Sequence, residues 1–329
     1  MRFGIVGTNW ITEQFIEAGR TLEAFRAEAV YSRAPERAAA YAAKNGVPHA
    51  FANLDEMAES GVVDAVYIAS PNSAHAAQAI RCMDRGMHVL CEKPLASNAR
   101  EAEAMIEAAR RNGVLLMEAL KTTFLPNYEA IRDHLPRIGT VRRVQASYNQ
   151  YSSRYDAYRA GTILNAFDPT LSNGALMDLG VYCLYPVVRL FGPPRSVKAN
   201  GVLLASGVDG EGSLILRYDE MEAVVAYSKI TFSDSPCEIQ GEDGNLVFDR
   251  MSQPTRVERR TRDGAVEDLT RPQSEHTMRY EIAAFMETAN RGETESAVND
   301  FATSLATMRV MDEARRQMGL VYPADRDGV

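Results

Sequence analysis

A lysine and a glutamate stand side by side where an apolar stretch of the sequence ends. In HVLCEKPL, residues 88–95, the apolar run stops at Cys91 and is followed by Glu92, Lys93 and Pro94. Pro94 disfavours helical backbone at Lys93 and can form a cis bond with it, so the ammonium group is held in one direction. Such a group can stabilise negative charge on a substrate oxygen or exchange a proton with it. The alternative is an ion pair that only terminates the strand.

A second pair of candidate groups is four residues apart. Asp178 and Tyr182, in the stretch GALMDLGVY, would share one face of a helix. Such a pair is usually structural, because tyrosine often buries its ring and leaves its hydroxyl in water. A nearby cation such as Lys93 would favour the phenolate and lower the pKa of Tyr182, which would make the pair a proton relay. Lys121 follows the apolar stretch VLLMEAL and could add positive charge at the same rim.

The elements that carry Glu92 and Lys93 alternate between strands and helices. Apolar runs such as VDAVYIAS and HVLCEK predict buried strands, and stretches such as PERAAAYAAKNG and SNAREAEAMIEAARRNG predict the helices between them. In an open parallel sheet, ligands bind beyond the carboxyl ends of the strands, which is where Glu92 and Lys93 lie. We predict a first α/β domain over residues 1–120.

The pattern changes after Lys121. The stretches TVRRVQASYNQY, SLILRY, EAVVAYSKITF and CEIQGEDGNLVF have period-two alternation and predict a mostly antiparallel sheet. The helix GALMDLGVYCLYPVVRLFG precedes most of this sheet, and MRYEIAAFMETANRG and DFATSLATMRVMDEARRQMG close the chain as helices. We predict a second α/β domain over residues 121–329, whose last helix could pack back on the first domain.

The turn after the first strand resembles a dinucleotide-binding fingerprint in part. The fingerprint G-x-G-x-x-G/A aligns with Gly7, Asn9 and Thr12 in GTNWIT, so only the first glycine is kept. Asn9 is an informative replacement, because asparagine tolerates left-handed backbone and can donate from its side chain to phosphate oxygens. The alternative is a plain tight turn, but the position between a strand and a helix favours cofactor binding.

The end of the second strand indicates which dinucleotide is preferred. A site specific for NAD places Asp or Glu there, whereas this chain has YSRAPER, with Ser32 and Arg33 and no acid beside them. A hydroxyl and a guanidinium suit an additional phosphate, and Arg37 lies one helical turn further on. We therefore predict that NADP(H) is preferred, with NAD(H) possible. An exposed arginine without a ligand is the alternative.

Composition and charge exclude several classes of protein. The net charge of −8 and the pI near 5.3 come with no basic block that could follow a phosphate backbone, so nucleic acid is not an expected partner. We see no apolar run that approaches the length of a membrane span and no secretion signal, so we expect a cytoplasmic protein. The four cysteines and five histidines lack disulfide or metal-ligand spacing, and no metal is expected.

Three separated stretches together identify the chain as a member of the Gfo/Idh/MocA oxidoreductase family. DAVYIASPNSAH, GMHVLCEKPL and GALMDLGVY resemble family signatures in the right order and spacing, and the resemblance spans nearly the whole chain. It implies an N-terminal Rossmann dinucleotide-binding domain and a C-terminal α/β domain with an open, mostly antiparallel sheet. Many relatives have His where this chain has Tyr182; glucose-fructose oxidoreductase and dihydrodiol dehydrogenase are similar to it in having Tyr.

The resemblance also implies roles for particular residues. Lys93, Asp178 and Tyr182 match catalytic positions, and the open sheet face implies a homodimer or a dimer of dimers. With the fingerprint and the second strand, the predicted cofactor-binding residues are Gly7, Thr8, Asn9, Trp10, Ile11, Ser32, Arg33, Arg37, Ser70, Pro71, Asn72, His75, Glu92, Lys93 and Pro94. The predicted substrate-contacting residues, chosen from the connection after the first strand of the second domain and from Lys121 itself, are Lys121, Arg154, Tyr158, Asn165 and Phe167.

The predicted activity is hydride transfer between a nicotinamide and a carbon that bears a hydroxyl or carbonyl group, on a small-molecule substrate such as a sugar, polyol or small diol. Two alternatives use the same scaffold: a non-catalytic NADP-binding regulator, and a glycoside hydrolase that oxidises its substrate transiently with NAD. Retention of Lys93, Asp178 and Tyr182 together argues against the regulator.

Overall fold

The computed structural model describes residues 1–326, which form two compact units. The first unit comprises Met1–Lys121 together with Ser274–Ser304. The second comprises Thr122–Gln273 together with the chain from Leu305 onward. Each unit contains one β-sheet with helices packed against it.

The sheet of the first unit is parallel throughout. Its strands are β1 (Arg2–Val6), β2 (Arg26–Tyr31), β3 (His49–Phe51), β4 (Ala65–Ile68), β5 (His88–Glu92) and β6 (Leu116–Ala119). They lie in the order β3-β2-β1-β4-β5-β6, so the chain starts in the middle and builds outward in both directions. This order is that of the doubly wound dinucleotide-binding fold, and it confirms the predicted fold class.

Helices follow the strands of the first unit. They are α1 (Trp10–Arg20), α2 (Pro35–Asn45), α3 (Leu54–Glu59), α4 (Asn72–Met83) and α5 (Ala99–Asn112). The short β3 and α3 have no counterpart in the predicted elements, because three and six residues are too few to establish a period. The core below the sheet is aromatic: Phe15 stacks on Tyr67 at 3.8 Å between ring centroids, and Phe3 stacks on Phe25 at 5.1 Å.

The second unit contains an eight-stranded sheet in the order β14-β13-β12-β11-β7-β10-β9-β8. Its strands are β7 (Val141–Asn149), β8 (Ser196–Leu203), β9 (Asp209–Arg217), β10 (Glu222–Ser228), β11 (Cys237–Gly241), β12 (Gly244–Phe248), β13 (Val257–Arg260) and β14 (Val266–Asp268). Neighbouring strands are antiparallel except β7 and β10, which are parallel. The predicted mostly antiparallel sheet is confirmed.

One apolar helix packs against this sheet. The unit contains α6 (Pro126–His134), α7 (Tyr155–Arg159) and α8 (Val181–Phe191), and a π-helical turn, Leu176–Gly180, leads directly into α8. By length and composition the segment Pro169–Phe191 could cross a membrane, so the expectation that no apolar run approaches that length is wrong. The segment is 72% buried, and its apolar residues contact β7, β9 and β10, as the core helix of a globular unit does.

The chain ends with α9 (Met278–Asn290) and α10 (Phe301–Met318). Residues 301–304, at the start of the last helix, belong to the first unit, and so does the whole of α9. Its Ile282 and Phe285 are fully buried, and the Phe285 ring lies 5.8 Å from that of Phe3 on β1. Most of α10 belongs to the second unit, where Gln317 hydrogen-bonds the backbone of β8.

Candidate functional site

The fingerprint turn connects β1 to α1 with little room for side chains. Gly7 has φ = +119°, and a Cβ atom there would lie 2.7 Å from the carbonyl oxygen of Ala69, at the end of β4. Such a position accepts only glycine without strain. The turn therefore lies tightly between the ends of β1 and β4, and α1 begins immediately after it, with the partial positive charge of its N-terminus directed at the turn.

Asn9 replaces the second glycine for a reason other than the one expected. Its backbone is extended, with φ = −119°, so tolerance of left-handed backbone is not what the position requires. Its side chain caps α1: Oδ1 accepts hydrogen bonds from the amides of Ile11 and Thr12, both at 3.2 Å. Nδ2 donates to Ala69 O at 2.8 Å. Asn9 thus fixes the turn, and Trp10 beside it is 60% exposed.

Two arginines lie beside this turn. Strands β1 and β2 pair through Val6 and Tyr31, which places Ser32 and Arg33 next to Gly7. Arg33 is exposed, and Arg37 donates from Nη2 to Thr8 O at 3.3 Å. The end of β2 and the first turn of α2 therefore carry a hydroxyl and two guanidinium groups near the fingerprint, as expected of a site for an additional phosphate.

His75 connects the loop after β4 to the Lys93–Pro94 segment. Its ring nitrogens lie 3.0 Å from Pro94 O and 3.0 Å from Ser70 O, and the residue is 1% exposed. Burial lowers the pKa of His75, so the neutral ring donates to one of the two carbonyl oxygens. Pro71 and Asn72 begin α4 in the same loop and are more accessible. His75 therefore acts as an internal tie between two loops.

The Glu92–Lys93–Pro94 segment leaves β5 at its carboxyl end. Glu92 is 9% exposed; its Oε1 accepts from Tyr67 Oη at 2.5 Å, and its Oε2 accepts from the amide of Lys93 at 3.2 Å. The Lys93–Pro94 bond is cis, and Lys93 is partly exposed, whereas Glu92 and Pro94 are buried. The segment therefore leaves Lys93 partly accessible and keeps the Glu92 carboxylate inside.

Further charged groups lie beneath this segment. Lys121 Nζ donates to Thr277 Oγ1 at 3.0 Å, and burial lowers the pKa of Lys121, an effect that Glu281 partly opposes. Burial raises the pKa of Glu281 well above its usual range, and its two oxygens have no hydrogen-bond partner among residues 1–326. Lys121 is partly exposed, and its charge interacts with the buried Glu281, a partner that sequence reasoning did not identify.

In the second unit, Asp178 is paired with a residue that sequence reasoning missed. Lys229, directly after β10, places Nζ 2.8 Å from Asp178 Oδ2. The same Nζ donates to Ala166 O at 3.1 Å and lies 5.4 Å from the centre of the Phe167 ring. The Lys229 side chain is 3% exposed and that of Asp178 is 37% exposed. Lys229 could have been identified from the sequence, because it follows an apolar strand as Lys93 follows β5.

Tyr182 lies one turn after Asp178, across the junction between the π-helical turn and α8. Its ring makes an edge contact with Tyr148 on β7, with 5.8 Å between centroids, and Tyr182 is partly exposed. Single π-helical turns are rare and occur often at functional sites. Asp178 and Tyr182 thus lie four residues apart on one continuous helical segment, and both are partly exposed.

The predicted substrate-contacting residues of this unit occupy different environments. Arg154 and Asn165 are exposed. Tyr158 is half-buried, and its ring lies 5.1 Å from that of Phe167, which is fully buried. Phe167 therefore packs against the ammonium group of Lys229. A cavity of about 680 Å³ opens at the carboxyl end of β7, and its lining includes Tyr148, Asn149 and Gln150 but none of these four residues.

Within the first unit, the predicted cofactor-binding residues come together at the carboxyl ends of β2, β1, β4 and β5, which are neighbours in the sheet. The glycine cradle, the N-terminus of α1 and the two arginines fit a dinucleotide that carries an additional phosphate. Asp178, Tyr182 and Lys229 form a separate group in the second unit.

Comparisons with known proteins agree with this geometry. Residues 1–120 match the model for the GFO/IDH/MocA oxidoreductase family with NAD-binding Rossmann fold, and residues 133–247 match a GFO/IDH/MocA C-terminal domain. The scyllo-inositol 2-dehydrogenase (NADP(+)) of Bacillus subtilis is 58% identical over 99% of both chains. The trans-1,2-dihydrobenzene-1,2-diol dehydrogenase of Xenopus tropicalis is 31% identical, covering 98% of this chain and 99% of its own.

Solved structures show the same fold. An aldose-aldose oxidoreductase from Caulobacter crescentus superimposes with a TM-score of 0.85 at 22% identity, covering 96% of this chain and 97% of its own. Identity at that level supports the fold alone, whereas the full-length sequence matches establish kinship. The chain therefore belongs to the Gfo/Idh/MocA oxidoreductase family, as its three signature stretches predict.

Proposed function

We propose that the chain is an NADP(H)-dependent dehydrogenase or reductase that acts on a CH–OH or carbonyl carbon of a polyol, sugar or small diol. The observation that carries this proposal is the 58% identity, over 99% of both chains, to a scyllo-inositol 2-dehydrogenase (NADP(+)). The arginines at the end of β2 support the same cofactor, because a guanidinium group binds phosphate in a charge-assisted manner.

The named substrates of two relatives share a chemical feature. In scyllo-inositol, every pair of adjacent hydroxyl groups is trans, and trans-1,2-dihydrobenzene-1,2-diol also carries a trans vicinal diol. We therefore propose a trans vicinal diol on a six-membered ring as the group that the enzyme recognises. The ketone formed by oxidising one of the two hydroxyl groups would be the substrate in the reverse direction.

We propose the following roles for Lys93, Asp178 and Tyr182. Bound NADP would supply the hydride acceptor or donor. Lys93 Nζ or Tyr182 Oη exchanges the proton of the substrate hydroxyl, and Lys93 also stabilises negative charge on that oxygen. The hydrogen bond from the Lys93 amide to Glu92 fixes the lysine backbone. Asp178 orients the substrate, and Lys229 holds Asp178 in place.

The two domains predicted from the sequence suggest different functions. We propose that residues 1–120 bind the cofactor and that residues 121–329 bind the substrate and form the contacts of a homodimer or dimer of dimers. The strand alternation of the second sheet supports an interface, since Ile215 on β9 and Val202 on β8 are 45% and 49% exposed. We expect the protein to act in the cytoplasm.

The experiment is a substrate comparison followed at the nicotinamide absorbance. With NADP⁺, scyllo-inositol should be oxidised. The kcat/KM for trans-1,2-cyclohexanediol should be at least about tenfold higher than for its cis isomer, because the loss of one charge-assisted hydrogen bond to the substrate costs about that factor. Absence of NADP⁺ reduction with every diol and sugar tested, while NADP binds, would favour the regulator. Release of a glycoside's leaving group without net reduction of the cofactor would favour the hydrolase.

A further inference from the structure

A buried carboxylate from another strand holds the start of the segment that carries Asp178 and Tyr182. Asp209 is the first residue of β9 and has no exposed surface. Its Oδ1 accepts from the amide of Ala175 at 3.0 Å, and its Oδ2 accepts from the amide of Leu176 at 2.7 Å. The segment has no side-chain cap at its own N-cap residue, Ala175, so Asp209 satisfies amides that would otherwise be left without an acceptor.

The approach of Asp209 to this segment dictates a glycine. Gly174 has φ = +151°, and a Cβ atom there would lie 2.0 Å from Asp209 Oδ1. Every other residue would displace the carboxylate. The first glycine of the GALMDLGVY signature is thus explained by contact with Asp209.

The side chains that face Asp209 come from two parts of the chain, β10 with the residue after it and the segment after α10. Lys229 follows β10 and its positive charge stabilises the Asp209 carboxylate, while it also pairs with Asp178. Tyr227 lies on β10, and Tyr322, from the chain after α10, donates to Asn173 O at 2.8 Å. Beyond Tyr322 lie Arg315, which stacks on its ring at 4.6 Å, and Asp325, which pairs with Arg315.

A buried carboxylate is a costly way to cap a helix. Burial raises the pKa of Asp209 to about 6, and the two backbone amides and Lys229 counteract this only in part. The ionised form therefore reduces folding stability above that pH, in contrast to an exposed capping aspartate.

We infer that Asp209 is a positioning residue of the reaction: its carboxylate holds the amides of Ala175 and Leu176 and, with Lys229, fixes where Asp178 and Tyr182 are presented. The inference rests on the proposed function for its kinetic consequences only. The ionised carboxylate has acceptors for both amides, whereas its protonated form or an asparagine has one strong acceptor and directs a donor at the other amide.

The test compares Asp209→Asn with Asp249→Asn. Asp249 also accepts from two backbone amides, those of Thr255 at 2.8 Å and Arg256 at 3.1 Å, but it contacts no part of the site segment. By hydrogen exchange and mass spectrometry, Asp209→Asn should speed exchange in the peptide 174–182 at least tenfold, and Asp249→Asn should leave that peptide unchanged. Unaltered exchange in Asp209→Asn overturns the inference, whether or not the wild type turns over a diol.

Kinetics provide the second readout. In the wild type, kcat should fall as the pH drops below about 6, because Asp209 becomes protonated there. Asp209→Asn should lower kcat at neutral pH at least thirtyfold, abolish that acid limb and leave NADP affinity within twofold. Equal kcat in Asp209→Asn and wild type overturns the inference. If the variant does not fold, a wild-type kcat that stays constant from pH 7 to pH 5 overturns the inference. A wild-type protein without activity counts against the proposed function instead.

Discussion

Lys229 Nζ lies 2.8 Å from Asp178 Oδ2, and the two side chains meet at the boundary between the interior of the second unit and its surface. The lysine is 3% exposed and stands over Phe167, whereas the aspartate is 37% exposed. Because the cation is fixed by Ala166 O and by packing, the carboxylate has one preferred position. Asp178, a predicted catalytic residue, is thus oriented by Lys229, which lies outside the three signature stretches.

Replacing Lys229 should therefore impair catalysis through Asp178. Lys229→Met removes a charge-assisted hydrogen bond of about 1.5–3 kcal/mol, so kcat should fall roughly tenfold to a hundredfold. Lys198→Met, at an exposed position on β8, should have no effect. In steady-state kinetics, the double variant Asp178→Asn/Lys229→Met should lose less than the sum of the single losses. Strict additivity would show that the two residues act independently.

Lys93 should be required for turnover but not for cofactor binding. Lys93→Met removes the group that exchanges the proton or stabilises the substrate oxygen, so kcat should fall at least about a hundredfold. Ser32 and Arg33 are untouched, and NADP affinity should stay within about threefold. Lys44→Met, which breaks a surface ion pair with Glu13, is the matched control. Near-normal turnover of Lys93→Met would make the segment a structural strand terminator.

Trp10 should report cofactor binding directly. It is the only tryptophan in the sequence, it begins α1 beside Gly7, and it is 60% exposed. NADP bound at the fingerprint turn would cover the indole, so titration with NADP should change its fluorescence saturably. Trp10→Phe should abolish the signal. A signal that stays flat while calorimetry detects binding would place the cofactor elsewhere.

Arg33 should set the preference between the two dinucleotides. Arg33→Ala removes one contact to the additional phosphate, and the ratio of NAD to NADP dissociation constants should fall about tenfold or more. Arg33→Lys keeps a positive charge and should retain part of the preference. Equal affinity of the wild-type protein for both cofactors, measured by Trp10 fluorescence, would contradict the assignment.

Glu118 on β6 should make stability depend on pH. Burial raises its pKa from 4.5 to about 7, so the folded state binds a proton more tightly than the unfolded state. The contribution of Glu118 is therefore greatest below about pH 4.5 and is lost as the pH rises through about 7, an effect on the order of 3 kcal/mol. Glu118→Gln should unfold at a higher urea concentration than the wild type at pH 8 and show no such gain at pH 4. A constant difference across that range would exclude ionisation of Glu118 as the cause.

The sequence by itself determined the family and, apart from the short β3 and α3, the alternation of strands and helices in the first unit. Strand β5 lies where the apolar run HVLCEK indicates it, and α2 and α5 match the stretches PERAAAYAAKNG and SNAREAEAMIEAARRNG. These elements are determined locally, by period, caps and turn residues. The signature stretches likewise placed Lys93 at the end of a predicted strand and Asp178 and Tyr182 on one face of a predicted helix, and the family they indicate is confirmed.

Only the tertiary structure decided which side chains support the candidate groups. Asp178 forms an ion pair with Lys229, and Asp209 caps the helical segment that carries Asp178. The charge of Lys121 interacts with that of Glu281. In each case the partners are far apart in the sequence. These contacts depend on which strands pair and on where distant parts of the chain pack together, and neither produces a periodic pattern in the sequence. Asn9 shows the same limit within one turn: its extended backbone and its bond to Ala69 depend on β1 and β4 being neighbours, which is a property of the folded sheet.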